Sequence, residues 1–351
     1  MQLRRRAFLT TASASAIANS VLAAEEPIIE PDLPIIDPHH HMWDRPGATS
    51  AFSHFLLPDL LEQLNTGHKI IATVFIEAGS MYRADGPAEL RSLGETEFAT
   101  GQAAMSASGA YGPIKAVAGI VGNVDLQLGA RAGEIMEMHM RIAGARFKGI
   151  RYNYAHTDVP MPGRGMNPKP AHLLADPIFR QGFAQLAPHG LSYDGTGYDP
   201  QLPELVDLAR GFPETTIVLN HASMPFMMGF NPRPRADVFK TWARDMRLLA
   251  TCANVNVKLG GFGLPGPPAA AGDPKPGAAD LAALWKPYIE TSIDAFGVDR
   301  CMFESNYPSD APVCSYRTIW NVFKTIAAKA TPTEKAALFG GTAKRVYRLD
   351  I

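Results

Sequence analysis

Two histidines one residue apart, His39 and His41, stand directly behind a short apolar run that begins at Ile35-Ile36. If that run is a strand, alternate side chains point the same way. His39 and His41 then share a face, and His40 lies off it. Two imidazoles on one face at a strand end are a ready chelate for a divalent ion, and zinc favours such nitrogen donors. Alone, the pattern is equally that of a solvated histidine cluster. What the rest of the chain brings beside it decides between the two.

Eight short apolar runs have the length of strands: Ile35–Asp37, Ile70–Glu77, Ile114–Val121, Ala145–Ile150, Leu191–Asp194, Thr216–Asn220, Val255–Leu259 and Arg300–Glu304. Most are continuous rather than alternating, as expected of strands buried on both faces. Helical patterns lie between and after them, at Glu89–Ser108, Leu126–Ala143, Pro177–Leu186, Leu202–Arg210, Val238–Cys252, Leu281–Phe296, Tyr316–Ala330 and Thr333–Val346. Thr331-Pro332-Thr333-Glu334 reads as a helix start. Alternating β and α elements predict a parallel sheet with crossover helices, and eight such units predict a closed (β/α)8 TIM barrel rather than an open doubly wound sheet. No Gly-x-Gly-x-x-Gly loop follows the early strands, which argues against dinucleotide binding. Two loops rich in Pro and Gly, Met161–Pro170 and Gly263–Ala279, read as lids or binding loops.

Chemistry in such barrels sits at the C-terminal ends of the strands, and those ends are rich in polar side chains. The first delivers His39 and His41, and the second ends in Glu77. The fourth ends in Lys148-Gly149-Ile150-Arg151-Tyr152. The fifth leads through Asp194 to Tyr198-Asp199. The sixth ends in Asn220-His221, and the seventh carries Lys258. The eighth runs from Glu304 through Asn306, with Asp310 just beyond. So many charged and imidazole groups on one rim are not accounted for by packing. Asp310, on the same loop as Asn306, is the first candidate for a general base, with Asp199 or Asp194 behind it. Tyr152, Tyr198 and His156 are candidates to shape the pocket, and Met224–Met228 to wall it. His54, His68, His139, His172 and His189 show no partner pattern.

The 351 residues are 46% hydrophobic and 19% charged, with a formal net charge of −1. That charge offers no footprint for nucleic acid or anionic lipid. Cys252, Cys301 and Cys314 match no zinc spacing and read as buried thiols. Residues 1–24 combine Arg4-Arg5-Arg6-Ala7-Phe8-Leu9 with a small apolar run ending in Ala23-Ala24. This is the pattern of a twin-arginine export leader, and it predicts a periplasmic mature protein comprising one domain from residue 25 to 351, without a membrane span. Pairing of helical outer faces into a homo-oligomer stays open.

The chain resembles the amidohydrolase-related group of the amidohydrolase superfamily, which includes pyrone dicarboxylate lactonase and sugar-acid lactonases. The matching pieces are Ile36–Trp43, Phe147–Arg151, Pro200–Leu205, Ile217–His221, Val257–Gly261, Cys301–Pro308 and Gly341–Tyr347. The resemblance implies a hydrolase that opens a lactone or related cyclic ester. His39 and His41, together with His221 or Asp199, would hold a divalent metal, zinc first, and Arg151 would bind an anionic group of a small-molecule substrate or polarise its carbonyl. Glu77 and Lys258 are further site candidates. Two positions depart from the family pattern: Asn306 stands where relatives carry a strand-eight aspartate, and Asp199 where they carry a histidine. An amide cannot be a general base and is a poorer ligand than a carboxylate, so Asn306 is read as a substrate-binding residue. The departures keep three other readings open: a metal-independent lactonase, a metal-dependent decarboxylase of aromatic acids, and a non-catalytic binding barrel.

Overall fold

The computed structural model describes residues 26–47, 53–157, 169–225, 235–263 and 275–351. The export leader lies outside these residues, as does most of both Pro/Gly-rich loops and of the Met224–Met228 run. Eight parallel strands form one sheet in sequence order: β1 (Pro34–His40), β2 (Lys69–Ile76), β3 (Lys115–Gly122), β4 (Phe147–Asn153), β5 (Ser192–Thr196), β6 (Ile217–Leu219), β7 (Val255–Leu259) and β8 (Cys301–Phe303). The ring closes where β1 meets the segment after β8: Asn306 N donates to His39 O at 2.9 Å, and His41 N to Tyr307 O at 2.8 Å. Asp37 staples the same seam, accepting from Ser305 Oγ at 2.5 Å and Tyr316 Oη at 3.0 Å. The expected (β/α)8 barrel is therefore present. Several bounds move: β1 runs on to His40 and β4 to Asn153, whereas β6 stops at Leu219 and β8 at Phe303.

Helices pack outside the sheet: α1 (Leu57–Leu64), α2 (Leu93–Ala107), α3 (Ala132–Ala143), α4 (Pro177–Phe183), α5 (Leu202–Gly211), α6 (Arg235–Ala250), α7 (Ala278–Phe296) and α8 (Tyr316–Ile326). Their starts follow local chemistry. Asp176 caps α4 by accepting from Ile178 N at 2.8 Å and Phe179 N at 2.9 Å, with Pro177 at the first helical position. Thr331 and Glu334 form the reciprocal box that the sequence suggested, opening a short helix at Pro332. No described helix is long and apolar enough to cross a membrane.

The strands' two faces bury different things. Ile35, Phe75, Ile120, Ile150, Tyr193, Leu219, Val257 and Phe303 face the helix layer. Ile36, Val74, Ile76, Val121, Val218 and Met302 face the barrel interior, where they meet Ala343, Val346, Tyr347 and Leu349 of the C-terminal segment. That segment plugs the bottom of the barrel, each large apolar side chain contributing about 1.5–3 kcal/mol of burial. Polar groups occupy the interior above the plug.

Candidate active site

Barrel parity turns Asp194, Lys258 and Glu304 inward, and all three are fully buried. Tyr347 Oη rises from the plug to donate to Asp194 Oδ2 at 2.7 Å, and Lys258 Nζ donates to the same oxygen at 2.8 Å. Lys258 Nζ also lies 3.4 Å from His39 Nδ1. A column thus runs from the C-terminal segment to the first histidine. An uncompensated buried ammonium would be costly, and Asp194 offsets it.

Strict alternation from Ile36 would send His40 inward. A register shift between Asp37 and His40 instead directs His39 and His41 into the barrel. His40 is left against Thr73 Oγ1 at 2.9 Å, outside the cluster. His41 Nδ1 meets Ile76 O at 2.8 Å, so it carries the proton and donates. His41 Nε2 is left with its lone pair directed at His39 Nε2, 3.3 Å away. Burial, with the Lys258 charge beside His39 and the Arg151 charge beside His41, holds both rings well below the usual histidine range, so both are neutral donors.

His221 arrives by an unusual route. After β6 the backbone makes a left-handed turn, with φ of 55° at His221, 45° at Ala222, 65° at Ser223 and 47° at Met224. Each such residue costs roughly 1–2 kcal/mol. Trp242 Nε1 donating to Ala222 O at 2.9 Å helps hold the turn. The result swings His221 back over the interior, where Glu304 Oε1 accepts from its Nδ1 at 2.7 Å. The ring lies against Gly261, itself at φ 67°, where any Cβ would overlap the imidazole. Glu304 Oε2 lies 2.5 Å from His39 Nδ1 but outside hydrogen-bonding direction, and it is buried without a hydrogen bond.

Arg151 closes one side. Its Nε donates to Glu77 Oε1 at 2.7 Å, its Nη2 to the Glu77 carbonyl, and its Nη1 lies 3.5 Å from His39 Nε2. On the other side Asp310 accepts from Asn306 Nδ2 at 2.9 Å and Gly263 N at 3.1 Å. Burial raises the Asp310 carboxyl to about 7, although those hydrogen bonds and nearby His221 act in the opposite sense.

Residues 36–349 match the profile of the amidohydrolase family. The chain belongs to that family. It is 32% identical to the uncharacterized protein y4mH of Sinorhizobium fredii over 91% of this chain and 99% of the other. It is 26% identical to an L-fucono-1,5-lactonase of Burkholderia multivorans over 90% of this chain and 96% of that one. An amidohydrolase structure from Burkholderia multivorans with bound zinc shares 25% identity, covering 90% of this chain and 99% of that chain, with a TM-score of 0.67.

The donor set of this amidohydrolase fits a divalent ion. Among the described residues, ligand atoms of His39, His221 and Glu304 lie within 4.8 Å of one another. The bare Glu304 Oε2 is the kind of buried atom that a cation would satisfy. The His39–His41 separation of 3.3 Å between Nε2 atoms is close to the roughly 3.4 Å that tetrahedral zinc–nitrogen bonds impose.

Among the residues expected from sequence, His39, His41, His221, Arg151, Glu77 and Lys258 come together around this centre. Asn306 and Asp310 form a bonded pair at its edge. Tyr152 is turned to the helix side, where its hydroxyl donates to Asp125 Oδ1 at 2.8 Å. The parity that points Arg151 inward forces this. Tyr198 packs with Ala155 and Met224. Asp199 opens the turn after β5 and is buried near Tyr288, outside the three-residue ligand cluster. His156 Nδ1 lies 2.6 Å from Lys169 O. The three cysteines are free and buried. Sequence reasoning passed over Glu304 as a ligand or orienting group, although it shares strand parity with Met302 and so had to face inward.

Proposed function

We propose that this amidohydrolase opens a lactone carrying an anionic group, with zinc held by His39, His41, His221 and Glu304. The observation that carries the proposal is the gathering of ligand atoms of His39, His221 and Glu304 within 4.8 Å of one another, with His41 Nε2 3.3 Å from His39 Nε2 and a carboxyl raised to about 7 beside them. The lactonase relative supports the choice of ester. A divalent ion bound there supplies Lewis acidity to the ester carbonyl and acidifies water. Asp310 takes the proton of the attacking water as the new carbon–oxygen bond forms. It returns that proton to the ring oxygen as the ester bond breaks, giving a hydroxy acid. Asn306 and Gly263 hold the Asp310 carboxylate while leaving each oxygen a second lone pair. Arg151, with Nε and Nη2 engaged by Glu77, offers Nη1 to the substrate anion. Glu304 fixes the His221 tautomer, and Lys258 sits beneath the rim as a fixed positive charge.

The test is metal analysis of protein never exposed to nickel resin, followed by proton-release assays on sugar-acid lactones and carboxylated lactones. About one zinc per chain is expected, with activity lost in His39→Ala, His41→Ala and Asp310→Asn. Full turnover in both histidine variants would overturn the metal assignment. Carbon dioxide release from aryl carboxylates, without lactone opening, would replace the reaction class. The leader supports export of the folded protein to the periplasm. Arg5→Lys with Arg6→Lys should then retain it in the cytoplasm, and unchanged export would sink that reading.

A further inference from the structure

We infer that Glu95, in the first turn of α2, is a positioning residue for Arg151: it clamps the loop after β2 and so fixes both Glu77 contacts on which the guanidinium rests. The inference rests on reading Arg151 as the anchor for the substrate anion. Glu95 is 2% exposed. Its Oε1 accepts from Ala78 N at 2.8 Å and Ser80 N at 3.0 Å. Glu77 N, on the other side, donates to Val121 O at 2.9 Å. The Glu77 backbone is therefore held from both ends. Arg151 uses the carboxylate and the carbonyl of that one residue, so a loop that slipped would move both supports at once.

The clamp also sets the charge near Arg151. Glu95 Oε2 is buried with no hydrogen-bond partner. A neutral carboxyl tolerates a bare oxygen better than a carboxylate does. Burial, then the Glu77 charge, raise Glu95 to about 8, against the opposing pull of its two backbone donors and Arg151. The titratable groups around it are Glu77 at the end of β2, Arg151 on β4 and the Tyr82 phenol in the intervening loop. Nearby on α2, Glu97 is engaged by Arg83. On α3, His139 is held by Thr96 Oγ1 at 2.8 Å, and burial lowers it to about 4, so it is uncharged here. Near pH 7 Arg151 thus faces one carboxylate, Glu77, and keeps charge for a ligand. Once Glu95 ionises, a second carboxylate competes for it.

The experiment follows the Arg151 Nε–H resonance of 15N-labelled full-length mature protein from pH 6.5 to 9.5, assigned by its loss in Arg151→Lys. KM and kcat are measured over the same range for any lactone that the wild type opens. In the wild type the resonance should titrate with a midpoint near 8. KM should rise about tenfold, the size of one pKa unit of interaction, while kcat follows only the ionisation of Asp310 near 7 and shows no change around 8. Glu95→Gln, which keeps the acceptor and the volume, should show wild-type KM at pH 7 and no titration in either readout. Glu95→Ala should raise KM across the range. A Glu95→Gln protein that titrates like wild type, or a wild-type resonance that stays flat, would overturn the inference. If no lactone is opened, the resonance alone decides, and the lactonase proposal fails separately.

Discussion

Replacing Glu304 with glutamine tests the centre of the site with almost no change in volume. Glu304 Oε1 accepts from His221 Nδ1 at 2.7 Å and from His221 N at 3.3 Å, while Oε2 sits 2.5 Å from His39 Nδ1. A glutamine can offer its oxygen to His221, but its amide nitrogen then meets His39 Nδ1. That nitrogen has no lone pair for a cation and removes the negative charge that the bare Oε2 brings to the site. Loss of an orienting carboxylate behind a ligating histidine typically costs 10- to 100-fold in metal affinity, about 1.4–2.8 kcal/mol. Zinc affinity measured against a chromophoric chelator should fall by that factor, and kcat/KM at limiting zinc should fall with it. Circular dichroism should stay unchanged, because the column of Tyr347, Asp194 and Lys258 below is untouched. Zinc affinity within twofold of wild type would refute the assignment of Glu304 to the metal centre.

Two further perturbations read other parts of the site. With Asp310 near 7, kcat/KM should climb with pH through that value as the base ionises; Asp310→Asn should remove the limb and lower the rate by roughly 10²–10⁴. The same group acts on stability with a defined sign. Between about 4 and 7 the folded protein holds a proton that the unfolded chain has released, so its contribution is full below pH 4 and is lost as pH rises through 7. Denaturant titrations of metal-free wild type and Asp310→Asn should differ in that slope, and parallel profiles would contradict the burial argument. Gly261→Ala should displace the His221 ring and strain a residue at φ 67° by about 1 kcal/mol, abolishing measurable zinc binding while the protein still folds; undiminished binding would show that His221 is not a ligand.

The barrel was legible because strands buried on both faces leave apolar runs that polar punctuation separates. Ile70–Glu77 and Val255–Leu259 each fill such a gap almost to the residue. The site was less legible, for reasons that differ by residue. Glu95 acts from a helix across the loop that follows Glu77, and spacing alone does not report that contact. Tyr347 reaches Asp194 only because the chain end folds back into the barrel. His221 needed a left-handed turn of residues that ordinarily avoid that region, a choice made by tertiary contacts such as Trp242 with Ala222.

The opening histidines show where the boundary lies. A spacing of two puts His39 and His41 on one face whatever the register, because a bulge upstream moves both together. Which face they take is a separate matter. Counted from Ile36, alternation sends them toward the helices, and the register shift after Asp37 returns them to the interior. Local spacing therefore determines which side chains can act as a pair. The closure of the β1–β8 seam, stapled by Asp37 to Ser305 and Tyr316, determines where the pair acts. That seam also carries Glu304 and Asn306 to within reach of His39. The chelating pair and its carboxylate are thus consequences of one closure, and they should be gained or lost together.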